Sequence, residues 1–107
     1  MTSAGSGNPP AFATPTVPYN DWAIKTGTYT ASNKDQLIAN SGSDFTITLP
    51  AGSAGNTVII CNAGAGTVTV GRNGSQKINS AAEDGTLAQG ASTQLVYVDD
   101  TIGWFQI

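Results

Sequence analysis

Side chains that could carry out chemistry are few in this sequence and lie far apart from one another. The chain has no histidine, which excludes imidazole-based catalytic triads and histidine metal ligands. Asp99 and Asp100 are adjacent, so within a strand they would point to opposite faces and could not act as a pair. A turn that brings both carboxylates onto Ca²⁺ is the alternative to a turn that is merely solvated and capped. Serine and threonine without a base do not indicate a nucleophile. The sequence therefore predicts a protein that is not an enzyme and holds no metal or cofactor.

Three further positions have a structural and a functional interpretation. Cys61, the only cysteine, lies in V-I-I-C-N, which is typical of a small buried apolar residue rather than a reactive thiol. Arg72 precedes Asn73-Gly74 and is expected at a hairpin tip, although a guanidinium there could also bind a glycan or a partner's carboxylate. Trp104 beside Phe105 favours core or subunit contact over a sugar-binding platform.

Length and charge narrow the class of protein. A chain of 107 residues forms one domain at most. Its net charge is −3 and its four cationic residues are scattered, which argues against nucleic-acid binding. No apolar run approaches the roughly 20 residues of a membrane helix. The N-terminus lacks the basic and apolar regions of a secretion signal, so we expect synthesis in the cytoplasm, before assembly or release.

Alternating apolar residues predict strands and not helices. Residues 44–50 alternate and stop at Pro50, residues 57–61 are apolar on both faces as in a covered central strand, and residues 92–99 form a second long strand. Further short strands are expected at residues 26–31, 36–40, 76–79, 86–88 and 104–107. Turn signals separate these strands every 8–12 residues or so. The sequence thus predicts an all-β fold, a small antiparallel β-sandwich or barrel-like module over residues 25–107.

The first 24 residues differ from the rest. Four of the five prolines fall within them, which favours extended backbone, yet large apolar side chains punctuate the segment. We expect an N-terminal arm whose apolar groups contact a partner; these are Phe12, Val17, Tyr19 and Trp22. The alternative is an N-terminal strand that folds back on its own sheet.

The small size of the β module predicts assembly. A core of this size supplies only a few kcal/mol of net stability, and no disulfide or apparent metal site adds to it. We expect an oligomer whose subunit interface includes the apolar C-terminal strand, through Trp104, Phe105 and Ile107.

The order of several short motifs resembles a family of small β modules from the virions of tailed bacteriophages. These motifs are D-F-T-I-T-L-P-A (44–51), G-N-T-V-I-I-C-N (55–62), T-V-T-V-G-R-N-G (67–74), S-T-Q-L-V-Y-V (92–98) and the closing G-W-F-Q-I (103–107). Such modules occur in tail-fibre tips and in capsid-surface proteins. The resemblance spans roughly residues 28–107, and no long shaft precedes the module in this chain.

The resemblance implies a structural role in the virion. A module with a short arm and no shaft is similar to a capsid decoration, or cement, protein. It implies a homotrimer on the capsid surface that stabilises the phage head by bridging copies of the major capsid protein. The alternative is a tail-fibre tip or receptor-binding module that recognises a host surface glycan.

Overall fold

The computed structural model describes residues 21–107, and this part of the chain is all-β, without a helix. Most connections between strands are short and rich in glycine and polar residues, and the longest covers residues 72–84. Nine strands follow in chain order: β1 Ala23–Lys25, β2 Tyr29–Thr30, β3 Gln36–Ala39, β4 Phe45–Thr48, β5 Thr57–Asn62, β6 Val68–Gly71, β7 Gly85–Leu87, β8 Ser92–Tyr97 and β9 Trp104–Gln106.

The strands form two mixed sheets. The five-stranded sheet has the order β1-β3-β5-β8-β9, and the four-stranded sheet has the order β2-β4-β6-β7. From β1 to β6 the chain passes alternately from one sheet to the other, so that successive strands of each sheet run parallel. Strands β7, β8 and β9 then pair antiparallel with their neighbours. The chain thus passes three times through both sheets, with β1–β2, β3–β4 and β5–β6 as three coils in parallel register. Strands β7 to β9 complete the two sheets with antiparallel pairing.

Both sheets contribute to one hydrophobic core. Inward residues alternate with outward ones along the longer strands, and the five-stranded sheet supplies Leu37, Val58, Ile60, Leu95 and Trp104. The four-stranded sheet supplies a second set to the same cluster: Ile47, Val68, Val70 and Leu87. Burial of such aliphatic side chains stabilises the fold by about 1.5–3 kcal/mol each.

The predicted all-β class is confirmed, but the prediction of antiparallel pairing is wrong for the first six strands. Ile47 of β4 lies between Tyr29 of β2 and Val70 of β6, all in parallel register. From β1 to β6 each connection carries the chain across to the opposite sheet instead of closing a hairpin, so consecutive strands in this part of the chain do not pair. Within residues 21–107 both sheets have free edges, so neither closes into a barrel.

Several local expectations also need correction. The first strand is β1, which spans the predicted boundary between residues 24 and 25 and pairs with β3. The predicted strand at residues 76–79 is reduced to isolated bridges at Ile78. Strand β5 alternates between half-buried and buried residues, so Cys61 is half-buried and the predicted burial of both faces is wrong for a single chain. Among residues 21–107 no helix is long and apolar enough to cross a membrane.

Candidate interaction surface

The outer face of the five-stranded sheet carries a continuous set of apolar side chains, which we call the apolar face. The register places Ile24 beside Ile38 and Ile38 beside Cys61, across three parallel strands. On the antiparallel side, Val96 lies beside Phe105. Ile59 lies between these two groups, flanked by Gln36 and Gln94. The face therefore extends across all five strands: its apolar members are Ile24, Ile38, Ile59, Cys61, Val96 and Phe105.

Exposure along the apolar face rises from the centre to the two edges. Ile38, Ile59 and Val96 on the inner strands are half-buried. At the β1 edge, Ile24 is 55% exposed and the preceding Trp22 is 46% exposed. At the β9 edge, Phe105 is 47% exposed and Ile107 is 66% exposed, with the Ile107 amide continuing the ladder by donating to the Gln94 carbonyl at 2.9 Å. The largest accessible apolar groups thus lie at opposite edges of one sheet.

No outward position of this sheet is charged. All eleven charged residues of the chain fall within residues 21–107, and Lys25 is the one among them that lies inside a strand. Lys25 points toward the core side of β1, where its ammonium lies 3.8 Å from the centroid of the Tyr29 ring. The polar members of the outer face are neutral: Gln36, Thr57, Ser92 and Gln94. An uncharged face of this kind can pack against a second apolar surface without burying an unpaired charge.

The outer face of the four-stranded sheet has a different chemistry. Thr30 pairs with Thr48, and Thr69 lies between Thr46 and Thr86, so hydroxyl groups cover this face, which we call the threonine face. Threonine suits a half-exposed pleated surface and can pair across strands. The two sheets therefore present one apolar and one hydroxyl-covered exterior.

The structure distributes the predicted site residues among three environments. Phe12, Val17 and Tyr19 lie outside the described residues. Trp22, Phe105 and Ile107 are exposed at the edges of the apolar face. Trp104 is fully buried in the chain's own core, where its ring meets Tyr97 edge-on with centroids 5.5 Å apart. Its ring is therefore not available to another subunit, and the prediction of Trp104 as an interface residue is wrong for that side chain.

The acidic pair at the last turn acts in capping. Asp99 Oδ1 accepts hydrogen bonds from the amides of Thr101 and Ile102, at 2.9 and 2.8 Å. Asp100 Oδ1 accepts one from the Tyr97 hydroxyl at 2.6 Å. This hydrogen bond, and then the burial of the ring, raise the pKa of the Tyr97 phenol. Within residues 21–107 no three His, Cys, Asp or Glu side chains come together as a metal site would require. The two carboxylates shape the β8–β9 turn.

Arg72 is held by its own chain. Its backbone amide donates to Asp84 Oδ1 at 3.0 Å, and its Nε lies 3.4 Å from the same oxygen. The side chain is about one-quarter exposed, and Asn73 Nδ2 beside it donates to the Leu49 carbonyl at 3.3 Å. This pairing ties the turn after β6 to the loop before β7, so that Arg72 has a local structural partner.

A small cleft opens between β7 and the β8–β9 pair. Its volume is about 140 Å³, and aliphatic groups from both sheets form its floor, among them Val70, Leu87 and Leu95. Asn79, Thr93 and Gln106 add amide and hydroxyl groups. Among the described residues, the lining includes no aromatic residue and no charged one. The cleft can accept a small group with a polar rim and an apolar side.

Comparison with protein-family models gives no match for this chain, and comparison with curated proteins gives none either. The sequence predicts the β9 edge of the apolar face but not Ile24, Ile38, Ile59 and Val96 as members of it. The available signal is the apolar character of both faces of residues 57–61, which is also typical of a strand buried within one chain.

Proposed function

We propose that this protein is a structural virion protein, a homotrimeric decoration (cement) protein on the outside of a tailed-phage capsid. In this proposal the arm, residues 1–24, binds the major capsid protein and the β module forms the projecting trimer. Copies that bridge neighbouring capsid subunits stabilise the head. The protein acts by binding and assembly and carries out no reaction.

One observation carries the proposal. Trp22 and Ile24, the last apolar residues of the predicted arm, are exposed at one edge of the apolar face, with Phe105 and Ile107 exposed at its other edge. Large apolar groups in such numbers on one face of a small protein are typical of a protein–protein contact. The motif resemblance supplies the kind of partner, and the arm sequence, whose one charged side chain is Asp21, fits an interface that does not depend on ion pairs.

The motifs that carry the resemblance have clear physical roles in the fold. Leu49 and Val58 are core residues, and Trp104 closes the core from the last strand. Gly74 and Gly103 adopt positive φ angles of 58° and 74°, which favour glycine. A buried core and fixed turns of this kind suit a virion protein, in which a stable module carries surfaces that can vary.

The proposal is tested by binding to capsids. Full-length protein carrying Phe12→Ser, Val17→Ser and Tyr19→Ser together is compared with wild type for co-sedimentation with undecorated capsids of the phage that encodes it. We expect wild type to saturate the capsids and the variant to bind at least tenfold more weakly, because several apolar anchors are lost. Equal binding of the two proteins would reject the role of the arm, and absence of binding by wild type would reject the capsid partner.

A second candidate is a tail-fibre tip or receptor-binding module for a host glycan. The cleft beside β7 favours it, because Asn79, Thr93 and Gln106 offer amide and hydroxyl groups to a sugar. The described lining of that cleft has no aromatic platform, which makes this the weaker candidate. Binding of a defined glycan that is lost in Thr93→Val and Gln106→Leu would favour it over capsid decoration.

A further inference from the structure

We propose that the apolar face is the inner wall of a three-fold prism, in which three copies of this chain turn their five-stranded sheets toward one axis. This inference rests on the proposed trimer and assigns its interface. The proposed interface includes all five strands of the sheet, whereas the sequence predicts the C-terminal strand alone. The residues that sequence analysis did not assign to an interface are Ile24, Ile38, Ile59 and Val96.

The dimensions of the face fit an interface between copies. Strands about 4.8 Å apart make the sheet about 24 Å wide, and the six residues of β5 or of β8 span about 20 Å. The outer face, with its neutral polar side chains included, therefore has a footprint on the order of 500 Å². Three such faces around one axis together bury about 1,500 Å², or about 500 Å² for each pair of copies, so the contact depends on closure of the ring.

The same dimensions fit three copies. Three sheets about 24 Å wide, set as the sides of a triangle, lie about 7 Å from the common axis at their centres. Two sheets packed face to face lie about 10 Å apart, or about 5 Å from their midplane, so side chains slightly longer than average fill the prism. Gln36 and Gln94 flank Ile59 at the centre and have that length. Their amides can pair with those of neighbouring copies, which satisfies them when buried.

The distribution of exposure favours the ring over a face-to-face dimer. A dimer of stacked sheets buries the centre of each face most deeply, whereas here the most exposed apolar groups lie at the β1 and β9 edges. At each corner of a triangular prism the β9 edge of one copy meets the β1 edge of the next. Phe105 and Ile107 then pack against Trp22 and Ile24 of the neighbour, and the contact closes after three copies.

Both edge strands also disfavour growth into open sheets. Strand β1 has three residues and carries the inward charge of Lys25 over Tyr29, and β9 also has three residues. Short edge strands and inward charges prevent edge-to-edge pairing of sheets. Contact through the face is therefore the remaining route by which this sheet is covered.

The test compares the sedimentation of three full-length variants with that of wild type. Ile59→Lys and Phe105→Lys each place a charge in the apolar face, at its centre and at its edge. Thr69→Lys is the matched control, because Thr69 is the outward, half-buried residue of an inner strand in the other sheet. Circular dichroism reports whether each variant keeps its fold; the exposed position of Phe105 protects the test if Ile59→Lys unfolds.

We expect wild type and Thr69→Lys to sediment as trimers. Ile59→Lys and Phe105→Lys should need protein concentrations at least a hundredfold higher than wild type to remain trimeric. A monomeric or dimeric wild type would overturn the inference, as would folded face variants that remain trimers. Loss of the trimer with retained capsid binding leaves the capsid partner in place. A stable trimer that does not bind capsids instead rejects the proposed function and keeps the interface.

Discussion

At the scale of single residues, one buried and hydrogen-bonded side chain, that of Asn62, ties the two sheets together. Asn62, 3% exposed at the end of β5, donates through Nδ2 to the carbonyls of Gly66 and Leu87, at 2.8 and 2.9 Å. Its Oδ1 accepts from the Gly64 amide at 3.1 Å. One side chain thus ties the connection after β5 and the end of β7 to the five-stranded sheet.

Asn62→Asp removes both donors and places a carboxylate against two carbonyl oxygens. We expect a loss of about 3 kcal/mol or more in the free energy of unfolding, since buried unsatisfied groups cost about 1–3 kcal/mol each and charged ones more. Asn56→Asp is the control, because Asn56 Oδ1 accepts a hydrogen bond from the Ser53 amide, which a carboxylate preserves. Urea denaturation measures both, and similar midpoints for the two variants would contradict this account of Asn62.

The raised pKa of Tyr97 predicts that the folded protein loses stability at high pH. Its hydrogen bond to Asp100, then its burial, raise the pKa of the phenol above the ordinary value near 10.0. The unfolded chain therefore releases this proton first as the pH rises, and the stabilisation present below pH 10 is lost as the pH passes through the raised pKa. Burial, with a smaller contribution from Asp35, raises the pKa of Tyr29 in the same direction.

We expect the free energy of unfolding of wild type to fall as the pH rises above about 10, and Tyr97→Phe to reduce the slope of that fall. At neutral pH the variant should also be less stable than wild type, because it loses the charge-assisted hydrogen bond to Asp100. Denaturant titrations over a series of pH values measure both effects. An unchanged slope in the variant would show that Tyr97 is not responsible.

At the scale of elements, the turns fix where each strand begins. The β8–β9 turn contains Gly103, whose φ is 74° and whose amide donates to the Asp99 carbonyl at 2.7 Å. A Cβ at this position would collide with the backbone carbonyl of Lys77. That carbonyl accepts the Trp104 amide at 2.8 Å, so the turn also sets the position of the core tryptophan.

Gly103→Ala and Gly55→Ala form a matched pair for this turn. Both glycines have positive φ, but a Cβ at Gly55 meets nothing within 4 Å. We expect Gly55→Ala to cost about 1–2 kcal/mol from backbone strain alone, and Gly103→Ala to cost clearly more because the backbone at Lys77 must also shift. Thermal and urea unfolding give both values; equal losses would show that close approach to Lys77 is unimportant.

The sequence predicted strands well and their pairing poorly. The alternation of Phe45, Ile47 and Leu49 identifies a strand with one buried face whether its neighbours run parallel or antiparallel. Short glycine-rich connections are typical of hairpins, yet here they cross between sheets. The outward residues of β5 are half-buried and not buried, a difference the sequence does not show because an apolar residue on the outer face of a sheet has the same character as a core residue.

At the scale of the whole molecule, two sheets share one core and differ outside. The threonine face is covered by hydroxyl groups, whereas the apolar face exposes large side chains at both edges. This asymmetry underlies the proposal that copies assemble through one sheet and leave the other in solvent. In the proposed function, the predicted N-terminal arm contacts the capsid.

Cys61 offers the most direct measurement of whether the apolar face is covered. Its thiol is half-buried on that face, between Ile38 and Ser92. We expect native wild type to react slowly with a thiol reagent when concentrated, and faster after a roughly hundredfold dilution, as mass action releases monomers. Ile59→Lys should react fast at both concentrations, and Thr69→Lys should behave as wild type does. Fast labelling of concentrated wild type, at the rate of Ile59→Lys and independent of dilution, would contradict assembly through the apolar face.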